Sequence, residues 1–257
     1  IPSRIYARPE LDSALVQYLN FDNLTSLDLV DNTRQITEIG EVNYSSSWTM
    51  LSSSLKLSGR GYINSNYNLT TNIVDRGSIH FYISFESFVD NETVDPYIFG
   101  TVDGTGLWMR ISRVTNKPYF GVGDVTIIGS EDFRVPSLTK DGYDRIGLAW
   151  RLNDNGFMEF DFTINGYSFI TESTLIPKFS SSEFNRFTPG ILLIGGVSLN
   201  PNTSFNGYID DWRIYNRALT LEEFNSIHTY MLSRPNVYCG KITIDNKEAI
   251  ASLQITD

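Results

Sequence analysis

The stretch FNGYIDDWRIYNRALTLEEFNSIHTYML, residues 205–232, decides the fold of this chain. Read with a two-residue period, Tyr208, Asp210, Trp212 and Ile214 share one face of a strand, and Asp211 and Arg213 share the other. The large apolar groups Trp212 and Ile214 mark the first row as the buried one. That reading points Asp210 inward and leaves Asp211 and Arg213 toward solvent. A carboxylate on a core face is costly unless it is paired, hydrogen-bonded or bound to a metal, which makes Asp210 a candidate functional residue. The second half of the stretch starts a helix. Thr220 and Glu223 have the spacing of a capping box, and Leu219 is placed to staple onto Phe224. Phe224, Ile227, His228 and Met231 then recur at helical spacing, and Pro235 prevents continuation.

The run GYIDDWRIYNRAL (207–219) resembles the closing strand of laminin-G-like domains of the concanavalin A-like lectin/glucanase superfamily. Glu222-Glu223-Phe224 matches the short terminal helix of those domains. Working upstream, YLNFDN (18–23), SSSLKLSGRGYI (52–63) and GSIHFYISFE (77–86) resemble their successive early strands. Trp150 followed by NGFMEFDFTINGYSF (155–169) resembles their central hairpin. The resemblance spans residues 15–232. It implies an all-β, concanavalin A-like two-sheet antiparallel jelly-roll sandwich with a short C-terminal helix.

The residues support the same class independently. Ile79, Phe81, Ile83 and Phe85 alternate with His80, Tyr82 and Ser84 as in a half-buried strand. Asn165-Gly166 is the strongest short hairpin signal in the chain. Strands recur roughly every 10–12 residues, the spacing of a sandwich or jelly roll. Residues 1–14, with two prolines and no period, read as a lead-in or linker. Residues 233–257 read as a C-terminal β tail, two short strands around Asp245–Lys247. The tail is similar to the start of a carboxypeptidase-regulatory-like or transthyretin-like β-sandwich, which would make it the beginning of a second domain. The alternative is a strand pair docked on the first sandwich.

Composition narrows the function. A formal net charge of −10 over 257 residues repels phosphate backbones and anionic membranes, which argues against nucleic-acid binding. No apolar run approaches the ~18–20 residues of a spanning helix. Cys239 is the single cysteine, so no intrachain disulfide forms. The Asn-x-Ser/Thr sequons at Asn23, Asn43, Asn68, Asn91 and Asn202 are about as many as chance gives in a chain this rich in Asn, Ser and Thr.

The sharpest enzyme candidate is Glu159-Phe160-Asp161. Glycanases on this sandwich carry three carboxylates on one face of a strand. Here Glu159 and Asp161 share a face, but the third carboxylate would fall at Thr163 or Ile164. Retaining hydrolysis needs a second catalytic carboxylate about 5–5.5 Å away, so the pattern is broken at a catalytic position. His80 and His228 are the only histidines, and neither adjoins a nucleophile motif. One cysteine and two separated histidines also argue against structural zinc.

Calcium is the metal that the resemblance raises, because laminin-G-like relatives often bind it. It takes six to eight oxygen ligands. Asp22, Asp31 and Asp210 are the candidate metal ligands, with Asp28 in the same first loop. The alternative is that Asp210 accepts hydrogen bonds from backbone amides or from an arginine such as Arg217. Trp48, Tyr67, Tyr119 and Tyr143 are candidate aromatic platforms for a sugar, whereas Trp108 and Trp150 sit in apolar strand patterns and read as core.

The expectation is a non-catalytic recognition or adhesion module with a glycan or cell-surface polysaccharide as partner. Its setting by architecture is a modular extracellular or virion-surface protein, of phage fibre or decoration type. The alternatives are a structural assembly module contacting its own copies or other subunits, and a β-glycan-cleaving glycoside hydrolase.

Overall fold

A computed structural model of the chain describes residues 13–22, 26–46, 53–69, 76–89, 93–102, 106–123, 125–128, 137–139, 142–168, 190–197, 203–233, 239–244 and 247–252. Early strands are β1 (Leu15–Leu19), β2 (Thr37–Ser45), β3 (Ser54–Asn68), β4 (Arg76–Phe85) and β5 (Tyr97–Thr101). The middle of the chain adds β6 (Leu107–Ile111), β7 (Pro118–Val122), β8 (Val125–Ile128), β9 (Asp144–Leu152), β10 (Met158–Ile164) and β11 (Tyr167–Ser168). Then come β12 (Ile191–Ile194), β13 (Asn206–Tyr215), helix α1 (Leu221–Ser233), β14 (Cys239–Ile244) and β15 (Lys247–Ser252).

Hydrogen bonds link β11-β10-β9-β4-β13-β3-β12-β5-β6-β7-β8 in that spatial order, with β1 also on β13 and β2 also on β3. Each of these strand pairings is antiparallel, and the isolated bridge between Tyr97 and Ser204 is parallel. The long strand β3 gives its first half to β13 and its second half to β12, and so carries the hydrogen-bonded path from one layer into the other. The layers then meet face to face. Phe120 on β7 touches Phe160 and Phe162 on β10, with ring centroids 5.8 and 5.7 Å apart, although these strands lie near opposite ends of the path. Phe99 on β5 likewise meets Phe81 on β4 and Trp212 on β13. This is the sandwich that the alternation predicts, with a core built from the inward rows of both layers. β14 and β15 pair as a separate hairpin.

The closing strand departs from simple alternation. Asp210 pairs with Tyr82 and Arg213 with His80, so Asp211 and Trp212 together oppose the single residue Phe81. This is a β-bulge, and Asp211 sits in it at φ 54°, a left-handed conformation that aspartate tolerates better than most residues. The extra residue reverses the facing rows. Ile209, Trp212 and Ile214 point into the core. Asp210 lies on the opposite face with its partner Tyr82, correcting the expectation that it shares the row of Trp212 and Ile214. Nor are Asp211 and Arg213 solvent-facing, being 1% and 0% exposed.

What covers that outer face is α1. Its capping box is made as expected: the Thr220 N–H donates to Glu223 Oε2 at 2.8 Å, and the Glu223 N–H donates to Thr220 Oγ1 at 3.3 Å. Leu219, Phe224, Ile227 and Met231 pack down onto Tyr82, Ala149 and Tyr215, joined by Leu15 and Tyr18 of β1. A second, smaller apolar layer thus lies outside the sheet.

Candidate functional site

Polar groups concentrate beneath α1. Arg213 Nη2 donates to Asp211 Oδ1 at 2.9 Å, and the Tyr18 hydroxyl donates to the same oxygen at 2.7 Å. Burial alone would lower the Arg213 pKa, but the Asp211 carboxylate outweighs it and holds the guanidinium above its ordinary value. His80, beside this pair, is fully buried between Phe224, stacked at 5.9 Å, and Tyr82, edge-on at 5.3 Å. Burial and the nearby cations push its pKa well below 6.5, so it is neutral at pH 7.

A cleft of 220 Å³ opens at one end of this layer, lined by Tyr82, Tyr143, Arg145, Asn165 and His228. Three parts of the fold bring these residues together. Tyr82 and Arg145 stand on the neighbouring strands β4 and β9, paired directly in register. Asn165 and Gly166 form the two-residue turn between β10 and β11, both at positive φ (52° and 84°), as a type I′ hairpin requires. The turn is tied to β9: Asn165 Oδ1 accepts the Arg145 N–H at 2.8 Å, and Asn165 Nδ2 donates to Asp144 Oδ1 at 2.7 Å. From the helix, Asn225 Oδ1 accepts Arg145 Nη2 at 2.7 Å, and His228 Nδ1 shares a hydrogen bond of 2.9 Å with the Tyr82 hydroxyl. Burial, then the charge of Arg145, lowers the His228 pKa. The result is a small recess with hydroxyl, amide, imidazole and guanidinium groups set among aromatic rings.

The residues singled out from sequence fall elsewhere, with two exceptions. Tyr143 and His228 line the cleft. Glu159 and Asp161 do share an outward face, but Arg151 bridges them, at 3.1 Å to Glu159 and 2.8 Å to Asp161. Thr163, where a third carboxylate would stand, is buried and directs its hydroxyl to the Gly147 carbonyl. The first-loop aspartates serve the loop itself. Asp28 is fully buried, accepts the Tyr18 and Val30 N–H groups, and pairs with Arg34. Asp31 accepts both the N–H and the hydroxyl of Thr33. Asp22 accepts the Asn20 side-chain amide. Asp210 accepts the Asp211 N–H at 2.8 Å, and Arg217 pairs instead with Glu223. Asp22, Asp31 and Asp210 do not gather into an oxygen cage. Among the described residues no group of three or more His, Cys, Asp or Glu side chains is placed to hold a metal ion.

Of the aromatic candidates, Tyr67 is buried under the Arg34 guanidinium, and Tyr119 packs edge-on against Trp108 while donating to Asp95. Trp150 is core as expected, and Trp108 is buried in a small cluster of its own with Tyr97 and Val197. Trp48 lies outside the described residues. Sequence reasoning missed Tyr82, Arg145 and Asn165 as a group. The Asn-Gly turn was visible, but nothing local ties it to residue 82 or 228.

No family model matches the chain, and no curated protein matches it by sequence. Solved structures do match. Domain 4 of AbnA, a GH43 extracellular arabinanase from Geobacillus stearothermophilus solved in complex with arabinotriose, superimposes with a TM-score of 0.60 at 17% identity, covering 83% of this chain and 97% of that one. The binding domain of Paraclostridial Mosquitocidal Protein 1 gives 0.57 at 15% identity, covering 84% of this chain and 52% of that one. The binding domain of Botulinum Neurotoxin DC, in complex with SialylT, gives 0.57 at 17% identity, covering 90% and 53%. This chain spans about half the length of those toxin binding domains. At such identities the likeness establishes the fold, a jelly-roll-like β-sandwich. No helix among the described residues is long and apolar enough to cross a membrane.

Proposed function

We propose that this chain is a non-catalytic, laminin-G-like recognition domain that binds a glycan in the cleft beneath α1. The observation that carries the reading is the convergence of Tyr82, Tyr143, Arg145, Asn165 and His228 on one recess. A few well-placed polar groups among apolar and ring surfaces are how small-molecule sites fix orientation. At 220 Å³ the recess is smaller than the ~300–1,000 Å³ of drug-sized sites and suits one sugar residue, such as the end of a longer glycan. Solved domains of this fold include one complexed with arabinotriose and one with SialylT, which supports the ligand class. The Arg151 bridge across Glu159 and Asp161 supports the non-catalytic half.

A glycan array probed with the purified chain tests it. The expected outcome is a narrow set of hits whose affinity falls about tenfold or more in Tyr82→Phe, which removes one hydroxyl and keeps the ring. An array without hits overturns the glycan reading. New reducing ends released from a β-glucan panel by the wild type and not by Glu159→Gln overturn the non-catalytic one.

A further inference from the structure

Two arginines are buried among the described residues, and they are treated differently. Arg213 has its carboxylate, Asp211, at 2.9 Å. Arg145 is 7% exposed and, among the described residues, has no carboxylate within ion-pair distance. Its Nη2 donates to the neutral amide oxygen of Asn225, and its Nη1 is buried with no hydrogen-bond partner. Asp144, next to it in sequence, is engaged elsewhere, because its two oxygens accept from the Thr139 N–H, the Thr139 hydroxyl and Asn165 Nδ2. Burial lowers the Arg145 pKa, with Tyr82 opposing it. A buried guanidinium with an unmade donor and no counter-charge is a costly arrangement to keep.

The fold nevertheless makes room for it. A Cβ on Gly166 would stand 2.5 Å from Arg145 Nη2 and 2.7 Å from Asn225 Oδ1, so the turn glycine leaves the space that the Arg145–Asn225 contact occupies. The other charges nearby are Asp210, which accepts the Asp211 N–H and whose charge reaches the cleft residues Tyr82 and Tyr143, and the closed Arg213–Asp211 pair. Among the described residues Arg145 is thus the cation of the cleft that no carboxylate pairs directly.

We propose that the cleft takes the carboxylate of an acidic sugar, with Arg145 as its anchor and Tyr82, Tyr143, Asn165 and His228 around the sugar hydroxyls. The inference rests on the glycan reading above and names the class of sugar. A carboxylate suits the site better than a sulfate or phosphate ester because it is planar, matching the guanidinium plane, and a phosphate ester also carries more charge than one arginine balances.

The test is calorimetric titration of the whole chain with oligosaccharides ending in glucuronate or sialate, with their carboxyl-reduced neutral twins, and with a sulfated twin. The acid form of at least one pair should bind about tenfold or more tighter than its reduced twin and than the sulfated sugar. Arg145→Gln should erase that preference, and Arg145→Lys should weaken it by removing the planar fork. Arg151→Gln, which removes an exposed arginine outside the cleft lining, should keep it. Equal binding of acid and reduced twins by the wild type overturns the acidic-sugar inference and leaves the glycan reading intact, as does a preference for the sulfated twin. Failure to bind any sugar, acid or neutral, overturns both.

Discussion

Asp211 holds a left-handed backbone, the Arg213 guanidinium and the Tyr18 hydroxyl at once. Asparagine tolerates the same backbone and fills the same volume, so Asp211→Asn isolates the charge. Because Arg213 would stay buried without its counter-ion, the variant should lose about 3–5 kcal/mol in urea denaturation. A loss below about 1 kcal/mol would show that the pair contributes no more than a surface contact. Alternation put this residue in solvent, and the reason it failed is specific. A bulge adds one residue to one strand, and the residues beyond it then face the other way. Two adjacent aspartates between Ile209 and Trp212 were the only local sign of it. What made Asp210 look singular, a carboxylate in the row of Trp212, was a product of the uncorrected parity.

At the level of elements, the terminal helix and the β10–β11 hairpin were both readable, because a capping box and an Asn-Gly turn act within a few residues of themselves. Where those elements go was not readable. The helix has apolar residues spaced for one face, yet nothing in them says that this face lies on Tyr82 and Tyr215 outside the sheet. Gly166 shows how the two kinds of information join. Its φ of 84° is a property of the turn, whereas the 2.5 Å approach of Arg145 is a property of the assembled site. Gly166→Ala should therefore cost about 1–2 kcal/mol from the backbone alone. Since the new methyl also displaces Arg145, ligand affinity should fall by more than Gly156→Ala produces. Gly156 has a similar φ of 77° and open space around its Cβ position, so it controls for the backbone cost. Equal effects on binding in the two variants would separate the hairpin from the site.

For the molecule as a whole, the strand order places β4 between β9 and β13, an arrangement set by long-range pairing that no periodicity encodes. One consequence is that His80 is enclosed by β9, β13 and α1, with Arg145, Arg213 and His228 as the charges facing it. Its folded pKa lies well below the ordinary 6.5, through burial first and those cations next. The unfolded chain therefore takes up a proton near pH 6.5 that the folded chain refuses. Below that pH the unfolded state binds more protons, so stability falls as pH falls, by up to about 1.4 kcal/mol per pH unit from His80. His228, half-buried and also depressed, adds a smaller share screened by solvent. Ordinary carboxylates titrate mostly below pH 5, so across the interval from pH 6.5 to 5 the two histidines drive the decline, opposed by Asp211, whose pKa burial raises. Urea midpoints should be level above pH 7 and decline through that interval. His80→Gln, which cannot take the proton, should flatten most of the decline whatever it costs at pH 7.5. An unchanged slope in that variant would place the acid sensitivity elsewhere in the fold.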